Sequence, residues 1–383
     1  MNRNSKFVIQ NYKKLGKKET KQIDKTLLSI ILMLSVFGLM MISSASVLYS
    51  QTRFNDPNYF LSHQFIYGFL PGILVLYIFS RIDYHFWRKF AVPFFIISIV
   101  ALILVFIPQI GKNIYGASRW INLGPISFQP SEMAKLSIIL YLAAWLTSKG
   151  KEGVRDIYEG MLPFLGILAV MSFLIIKQPD TGTLAVVILI SVVMFFISGA
   201  NLSHIWGIFL GGSVILAGLI AVAPYRLNRI LVFLNPEHDP QGVGYQITQA
   251  LLAVGSGGVL GVGLGHSRQK FNYLPEPVGD SIFAIVGEEL GMIGAVIVVI
   301  LFIFFALRGL KIAKNAPDDF GKIMAVGIVG WVIFQAFVNI SAILAIIPLT
   351  GIPLPFISYG GTSFVFLMVG MGILLNISKQ SKI

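Results

Sequence analysis

The chain has 383 residues, 56% of them hydrophobic and only 12% charged, with a mean hydropathy of +0.80. Soluble domains carry about a quarter charged residues, so this composition excludes an ordinary soluble globule and points to an all-α polytopic membrane protein. The net charge of +12 does not indicate nucleic acid, because eight basic residues crowd into the first 25 positions ahead of the first apolar run, and the lack of cysteine excludes a disulfide framework, a thiolate nucleophile and a cysteine metal site.

Residues 1–25 read as a basic cytoplasmic tail. Apolar stretches of roughly 18 residues or more follow near 26–46, 63–80, 91–108, 131–147, 161–176, 183–199, 204–223, 281–307, 322–348 and 360–377. The first run ends in "SSAS", which imitates a signal-peptide cleavage site, but its apolar part is too long and its polar lead too extended for that class. The ten spans form one transmembrane domain over 26–378, followed by a short tail at 379–383. With the N-terminus inside, the inside segments hold 20 Lys and Arg and the outside segments 8, Lys135 lying within a span. Both ends are therefore expected in the cytoplasm.

Three outside segments carry the chemistry. In 111–137, Arg119 and Trp120 stand side by side, a guanidinium that can grip a phosphate next to a ring at headgroup depth, or a plain interfacial anchor. Ser131 and Glu132 open the next helix, with Lys135 one turn further on the same face, either a self-neutralising pair or a cation held ready for an anion. In 175–183, Lys177 and Asp180 reach the same side. The segment 224–280 is much longer than an ordinary connection, the kind of loop that carries function, and holds Arg226 and Arg229. Its stretch 245–254 is amphipathic and too short to cross a bilayer, so an interfacial or re-entrant helix is expected, followed by a Gly-rich run at 255–265.

Acid then enters the eighth span. Ionised Glu288 and Glu289 facing lipid would oppose insertion by roughly 5 to 7 kcal/mol together, so they face the bundle interior, tying helices together or lining a polar cavity. Asp280, at the outer edge, is either an N-terminal cap or a general base. A base there, with Arg119, Lys135, Arg226 and Arg229 to receive a phosphate or pyrophosphate, suits attack by a hydroxyl on a lipid-linked sugar.

Several segments carry a resemblance: "GASRWINLGPISFQPSEMAKL" (116–136), "QPDTGT" (178–183), 235–276, "DSIFAIVGEELGMIGA" (280–295), "QAFVNI" (335–340) and 351–377. Together they resemble, in order, the SEDS family of peptidoglycan glycosyltransferases, the FtsW/RodA/SpoVE type. The run "GLGHSRQKFNYLPE" is more similar to the FtsW-like division and sporulation branch. The resemblance implies a ten-helix enzyme of the bacterial cytoplasmic membrane that polymerises lipid II at the outer face, where a sugar 4-hydroxyl attacks the anomeric carbon of a second disaccharide and undecaprenyl pyrophosphate leaves. It puts the catalytic aspartate on Asp280. Substrate or pyrophosphate binding falls to Arg119, Trp120, Glu132 and Lys135, together with Lys177, Asp180, Arg226, Arg229, Gln246, Lys270 and Glu276. Glu288, Glu289, Asn339 and Ser358 are expected to shape the cavity.

The chain departs from the family where "PEAHTDFIFA" becomes "PEPVGDSIFA", placing Val278, Gly279 and Ser281 around the aspartate. Implied partners are a class B penicillin-binding transpeptidase, other divisome or elongasome membrane proteins and membrane lipid, with no nucleic acid. No cofactor is required by the motifs. No metal-ligand spacing is present, which leaves open a divalent cation, Mg2+ or Mn2+, between Asp280 and the leaving pyrophosphate. Two other functions compete: a lipid II flippase, which should need polar groups through the full membrane depth, and a proton-coupled transporter, which often shows related halves. The polar groups here concentrate outside and no internal repeat is visible.

Overall fold

The computed structural model describes residues 22–114, 117–124, 126–271 and 273–381, so most of the basic N-terminal tail and the last two residues lie outside the described residues. In chain order the helices are α1 (Lys25–Phe54), α2 (Tyr59–Arg81), α3 (Phe86–Leu104), α4 (Pro130–Arg155), α5 (Ile157–Lys177), α6 (Thr181–Ile197), α7 (Leu202–Val222), two shorter ones, α8 (Pro224–Leu234) and α9 (Val243–Ser256), then α10 (Ile282–Lys314), α11 (Asp319–Ile343) and α12 (Gly361–Gln380). All ten expected spans fall on helices, and eight of these are long and apolar enough to cross a membrane. The other two fall short for physical reasons. α6 has only 17 residues, and Glu132 and Lys135 lower the hydropathy of α4. The expected span at 322–348 ends earlier, at Ile343, beyond which Ala345 turns left-handed (φ 52).

The helix ends sort into two sets, as alternating passes require. At one end Asp24 caps α1, accepting from Leu27 N at 2.9 Å, and also accepts from Arg308 Nε at 2.7 Å. There too His85 bridges Asp83 and Asp318, and Arg155 Nε donates to Gly199 O at 3.1 Å. At the other end Tyr49 meets Glu276, Arg119 meets Gln178, His63 meets Tyr359 and Thr362 meets Ser127. Asp24, Asp83, His85, Arg155, Arg308 and Asp318 lie on segments expected inside, and Tyr49, Arg119, Ser127, Gln178, Glu276 and Tyr359 on segments expected outside, while Leu27, Gly199, His63 and Thr362 fall at the ends of expected spans.

α11 and α12 form the centre, with 72% and 78% of their most apolar stretch buried, whereas none of α7's is. The two central helices can therefore hold a site rigidly, while α7 leaves nearly all its apolar side chains to lipid.

One region is not helical. β1 (Gly111–Ile114), β2 (Ala117–Leu123) and β3 (Ile126–Phe128) make a three-stranded antiparallel sheet in the order β1-β2-β3, with Lys112 opposite Trp120 and Ile121 opposite Phe128. The all-α expectation contained no such sheet, because its strands are too short to show a periodic pattern. Its effect is to turn a loop into a platform for Arg119 and Trp120.

A second feature is a break in α10. Gly291 leaves helical geometry (φ 67, ψ −168), and the freed backbone groups are taken by the Gly-rich run. Val262 and Gly263 N–H donate to the Glu288 and Glu289 carbonyls at 3.0 Å each, while Met292 N donates to Gly258 O at 2.9 Å. Non-helical backbone at membrane depth survives only when protein satisfies it in this way. Gly257 and Gly261 are required for the approach, since a Cβ would fall 2.0 Å from Gly287 O and 2.2 Å from Glu289 O respectively.

Candidate active site

The loop that carries Asp280 is fixed through its backbone. Asn339 Nδ2, on central helix α11, donates to the carbonyls of Asp280 and Ile352, both at 2.8 Å. Ser358 Oγ donates to Gly279 O at 2.7 Å, and Tyr359 N donates to Val278 O at 2.8 Å. At Val278 and Gly279, where the chain departs from the family pattern, these bonds are made to carbonyls, so they do not depend on the side chain there. Ser281, also a departure from the family pattern, accepts from Gln246 Nε2 at 3.1 Å.

Asp280 is not a helix cap. The N-cap position of α10 is Ser281, which makes no side-chain capping bond. The carboxylate is half-buried instead, with Oδ2 a weak 3.4 Å from Gln246 Nε2 and Oδ1 buried without a hydrogen-bond partner. An unmet carboxylate oxygen is costly in a folded protein and marks a place where an incoming donor belongs. Burial, then the charge of Glu276, pushes the Asp280 carboxyl up to about 6, against opposing pulls from Gln246, its own backbone N–H and Arg229. Glu276 itself sits in left-handed backbone (φ 46) and accepts from Tyr49 OH at 3.2 Å. Across the site, Gly351 (φ +71) passes so close that a Cβ there would lie 3.7 Å from Asp280 Oδ2.

Two arginines face this carboxylate's surroundings. Arg229 of α8 donates from Nη1 to Leu349 O at 3.0 Å and lies within electrostatic reach of Arg119, Asp280 and Asp180. Its own pKa is lowered, by burial first and by the charge of Arg119 second. Arg119, on β2, donates from Nε to Gln178 O at 3.0 Å and from Nη2 to Pro179 O. Asp180 caps α6 through Thr183 N at 3.1 Å and accepts from Ser131 Oγ at 3.4 Å. The sheet and the starts of α4 and α6 are thus joined around Asp180, within electrostatic reach of Arg229, which also reaches Asp280. An arginine has five N–H donors, so both guanidiniums keep donors for an anion.

The remaining expected cations are placed otherwise. Lys135 is 2% exposed, with Nζ 2.8 Å from Glu132 Oε1, 2.6 Å from Gln335 Oε1 and over the Trp331 ring. Ser363 Oγ completes Glu132 at 2.8 Å, so this pair ties α4 to α11 and α12. Lys177 is exposed with its ammonium over Phe173, and Arg226 donates to Leu219 O at 3.1 Å beside the Tyr225 ring. Trp120 is half-buried on β2.

Glu288 and Glu289 bind the chain's own loop. Glu288 accepts from Ser267 Oγ and from Arg268 N at 2.8 Å; Glu289 accepts from Lys270 Nζ at 2.8 Å and from Ser44 Oγ. The two acids hold residues 267–270 against α10 and, through Ser44, against α1.

Residues 25–383 match the family model described as "Cell cycle protein", the FtsW/RodA/SpoVE model. The chain belongs to the FtsW/RodA/SpoVE family. It is 42% identical over 361 residues to stage V sporulation protein E of Bacillus subtilis, covering 94% of this chain and 98% of that one. It is 40% identical over 369 residues to the probable peptidoglycan glycosyltransferase FtsW of Geobacter metallireducens, covering 96% and 98%. A solved structure titled as the structural coordination of polymerization and crosslinking by a peptidoglycan synthase complex superposes with a TM-score of 0.76 at 27% identity, over 93% of this chain and 97% of that one.

In this member of the family, the sequence reading omitted Gln335 and Gln178. Gln335 links Lys135, Trp331 Nε1 at 2.8 Å and Pro353 O at 2.9 Å. Gln178 is fully buried and presents its backbone carbonyl to Arg119. The signal for Gln335 was a polar side chain in an otherwise apolar span, within the "QAFVNI" segment.

Proposed function

We propose that the protein polymerises lipid II into glycan strands, with Asp280 as the general base. The single observation that carries this reading is the buried, unpartnered Asp280 Oδ1 within electrostatic reach of Arg229, which in turn lies within reach of Arg119. A carboxylate that titrates at about 6 is mostly ionised at neutral pH, yet basic enough to take a proton. The sugar hydroxyl gives its proton to Asp280 while its oxygen bonds to the anomeric carbon of the second disaccharide. The bond from that carbon to the diphosphate oxygen breaks, and the electron pair leaves with undecaprenyl pyrophosphate. Arg229 and Arg119 offset the negative charge that develops there.

Among the described residues, no three His, Asp or Glu side chains converge to hold a metal. Asp280, together with a bound diphosphate, would be the group to hold a Mg2+ or Mn2+ ion, which would offset the leaving group's charge.

The site belongs at the outer face of the cytoplasmic membrane with both chain ends in the cytoplasm, a reading supported by the excess of Lys and Arg on segments at the opposite end. A role in division or sporulation, in contact with a class B penicillin-binding transpeptidase and other divisome proteins, is supported by the names of the relatives and by the complex in which the similar fold is found. The test is to give purified protein and its transpeptidase lipid II in proteoliposomes. Glycan polymer supports the reading; lipid II moved between leaflets with no polymer would support the flippase instead.

A further inference from the structure

Separate from the Arg119 and Arg229 group, Tyr49, Arg53, Tyr245, Lys270, Tyr273 and Glu276 are among the residues lining a hollow of about 190 Å3 at the outer end of the bundle. It is built from three separate pieces: α1, α9 and the loop before α10. Tyr49 donates to Glu276 Oε1 at 3.2 Å, and the Arg53 guanidinium lies 4.2 Å over the Tyr49 ring. Tyr273 is 57% exposed. Two links join the hollow to the base: Gln246, next to Tyr245, touches Asp280 Oδ2, and the charge of Glu276 is felt by Asp280. The hollow shares no residue with the Arg119 and Arg229 group.

Tyrosines at a membrane face are commonly lipid-facing anchors. Here all three line one hollow together with Arg53, Glu276, Leu274, Pro275 and Pro277, while the Lys270 ammonium is held by Glu289 and Ser44; ring faces beside a guanidinium and a carboxylate suit a sugar better than a lipid tail. We propose that this hollow is the acceptor subsite, holding a pyranose ring of the saccharide whose hydroxyl Asp280 deprotonates, while the donor's diphosphate lies on the arginine side. The inference rests on the glycosyltransferase reading and adds to it an assignment of sides. Tyrosine ring faces pack on the sugar's C–H face, and Glu276 and Arg53 meet its hydroxyls.

The probe is a soluble β-1,4-linked N-acetylglucosamine oligomer, followed by saturation-transfer NMR on the full chain in nanodiscs with its transpeptidase. Wild-type protein should bind it, and Tyr273→Ala and Tyr245→Ala should each weaken binding roughly tenfold. Tyr273→Phe, which keeps the ring face, should retain it. Tyr158→Ala, exposed at the opposite end of the bundle, should bind as wild type does. Equal binding by all variants overturns the subsite, as does a wild-type protein that polymerises lipid II yet does not bind the oligomer. A wild-type protein that makes no polymer from lipid II overturns the enzymatic reading, and the subsite with it.

Discussion

Lys270 and Glu289 form an ion pair of 2.8 Å in the interior, their side chains 7% and 0% exposed. It closes a ring of chain around Asp280, because one partner precedes the aspartate in the loop and the other follows it in α10. Removing one member of such a pair leaves a buried charge without a counter-ion, which costs about 3–5 kcal/mol. Glu289→Gln should therefore lower the melting temperature in detergent clearly, and the double variant Lys270→Met with Glu289→Gln should recover most of the loss. A Glu289→Gln protein that melts like wild type would show that the clasp contributes nothing to stability.

The Asp280 carboxyl, raised to about 6, sets a pH dependence. The base must be ionised, so the polymerisation rate should climb as pH passes upward through about 6 and level off above it. Initial rates across that range check this; a rate already at its plateau well below 6 would mean that Asp280 ionises as an ordinary surface carboxylate.

Arg229 holds the Asp280 carboxyl down electrostatically, and in the proposed mechanism it offsets the leaving group's charge. Arg229→Gln should slow polymerisation by roughly 10²-fold and move the midpoint of the pH profile upward. A slower enzyme with an unmoved midpoint would separate the arginine from the aspartate.

Arg119 staples β2 to the turn between α5 and α6 through two carbonyls. Arg119→Ala should weaken use of lipid II, read as a fall in kcat/KM, and Arg119→Lys should restore little, because an ammonium cannot span both carbonyls and still reach an anion. Unchanged kinetics would reduce Arg119 to an interfacial residue.

The spans were legible in the sequence because each announces itself by apolarity, and α9 by its amphipathic pattern; α8, inside what read as the long loop from 224, was not. Asp280 stood out as a candidate because "LPE" and "IFA" bracket it as in the family pattern. The clasp was not legible. Nothing local shows that Glu288 and Glu289 would meet Ser267 and Lys270, since the contact exists only after the Gly-rich run folds into the break at Gly291. Lys135 could not be separated from Arg229 by residue type. Its burial with Glu132 and Gln335 depends on how α4 packs against α11. The strands of the sheet left no periodic trace, so the platform under Arg119 emerges only from pairing.

At the opposite end, His85 sits between Asp83 Oδ1 at 2.7 Å and Asp318 Oδ2 at 2.6 Å. Burial alone would lower its pKa, but hydrogen bonds to the two carboxylates raise it above 6.5. A raised histidine contributes stability in full below pH 6.5, and that contribution fades as pH rises through the folded value. For Asp83 and Asp318 burial works upward and is outweighed by their bonds, so both fall below 3.8 and their contribution is lost only in acid. The groups are 35% to 58% exposed, so solvent screening keeps the effect small. Melting temperature should fall modestly from about pH 6 to about pH 9 in wild type, with a flatter profile in His85→Gln. Parallel profiles would remove the histidine from this role.

The central claim is that the Asp280 carboxylate takes the proton from the attacking sugar hydroxyl. Its most direct test is polymer formation from lipid II by purified Asp280→Asn protein, assayed with and without its transpeptidase, after confirming that the variant inserts and melts as wild type does. The account predicts no glycan polymer in either case; polymer at the wild-type rate would contradict it.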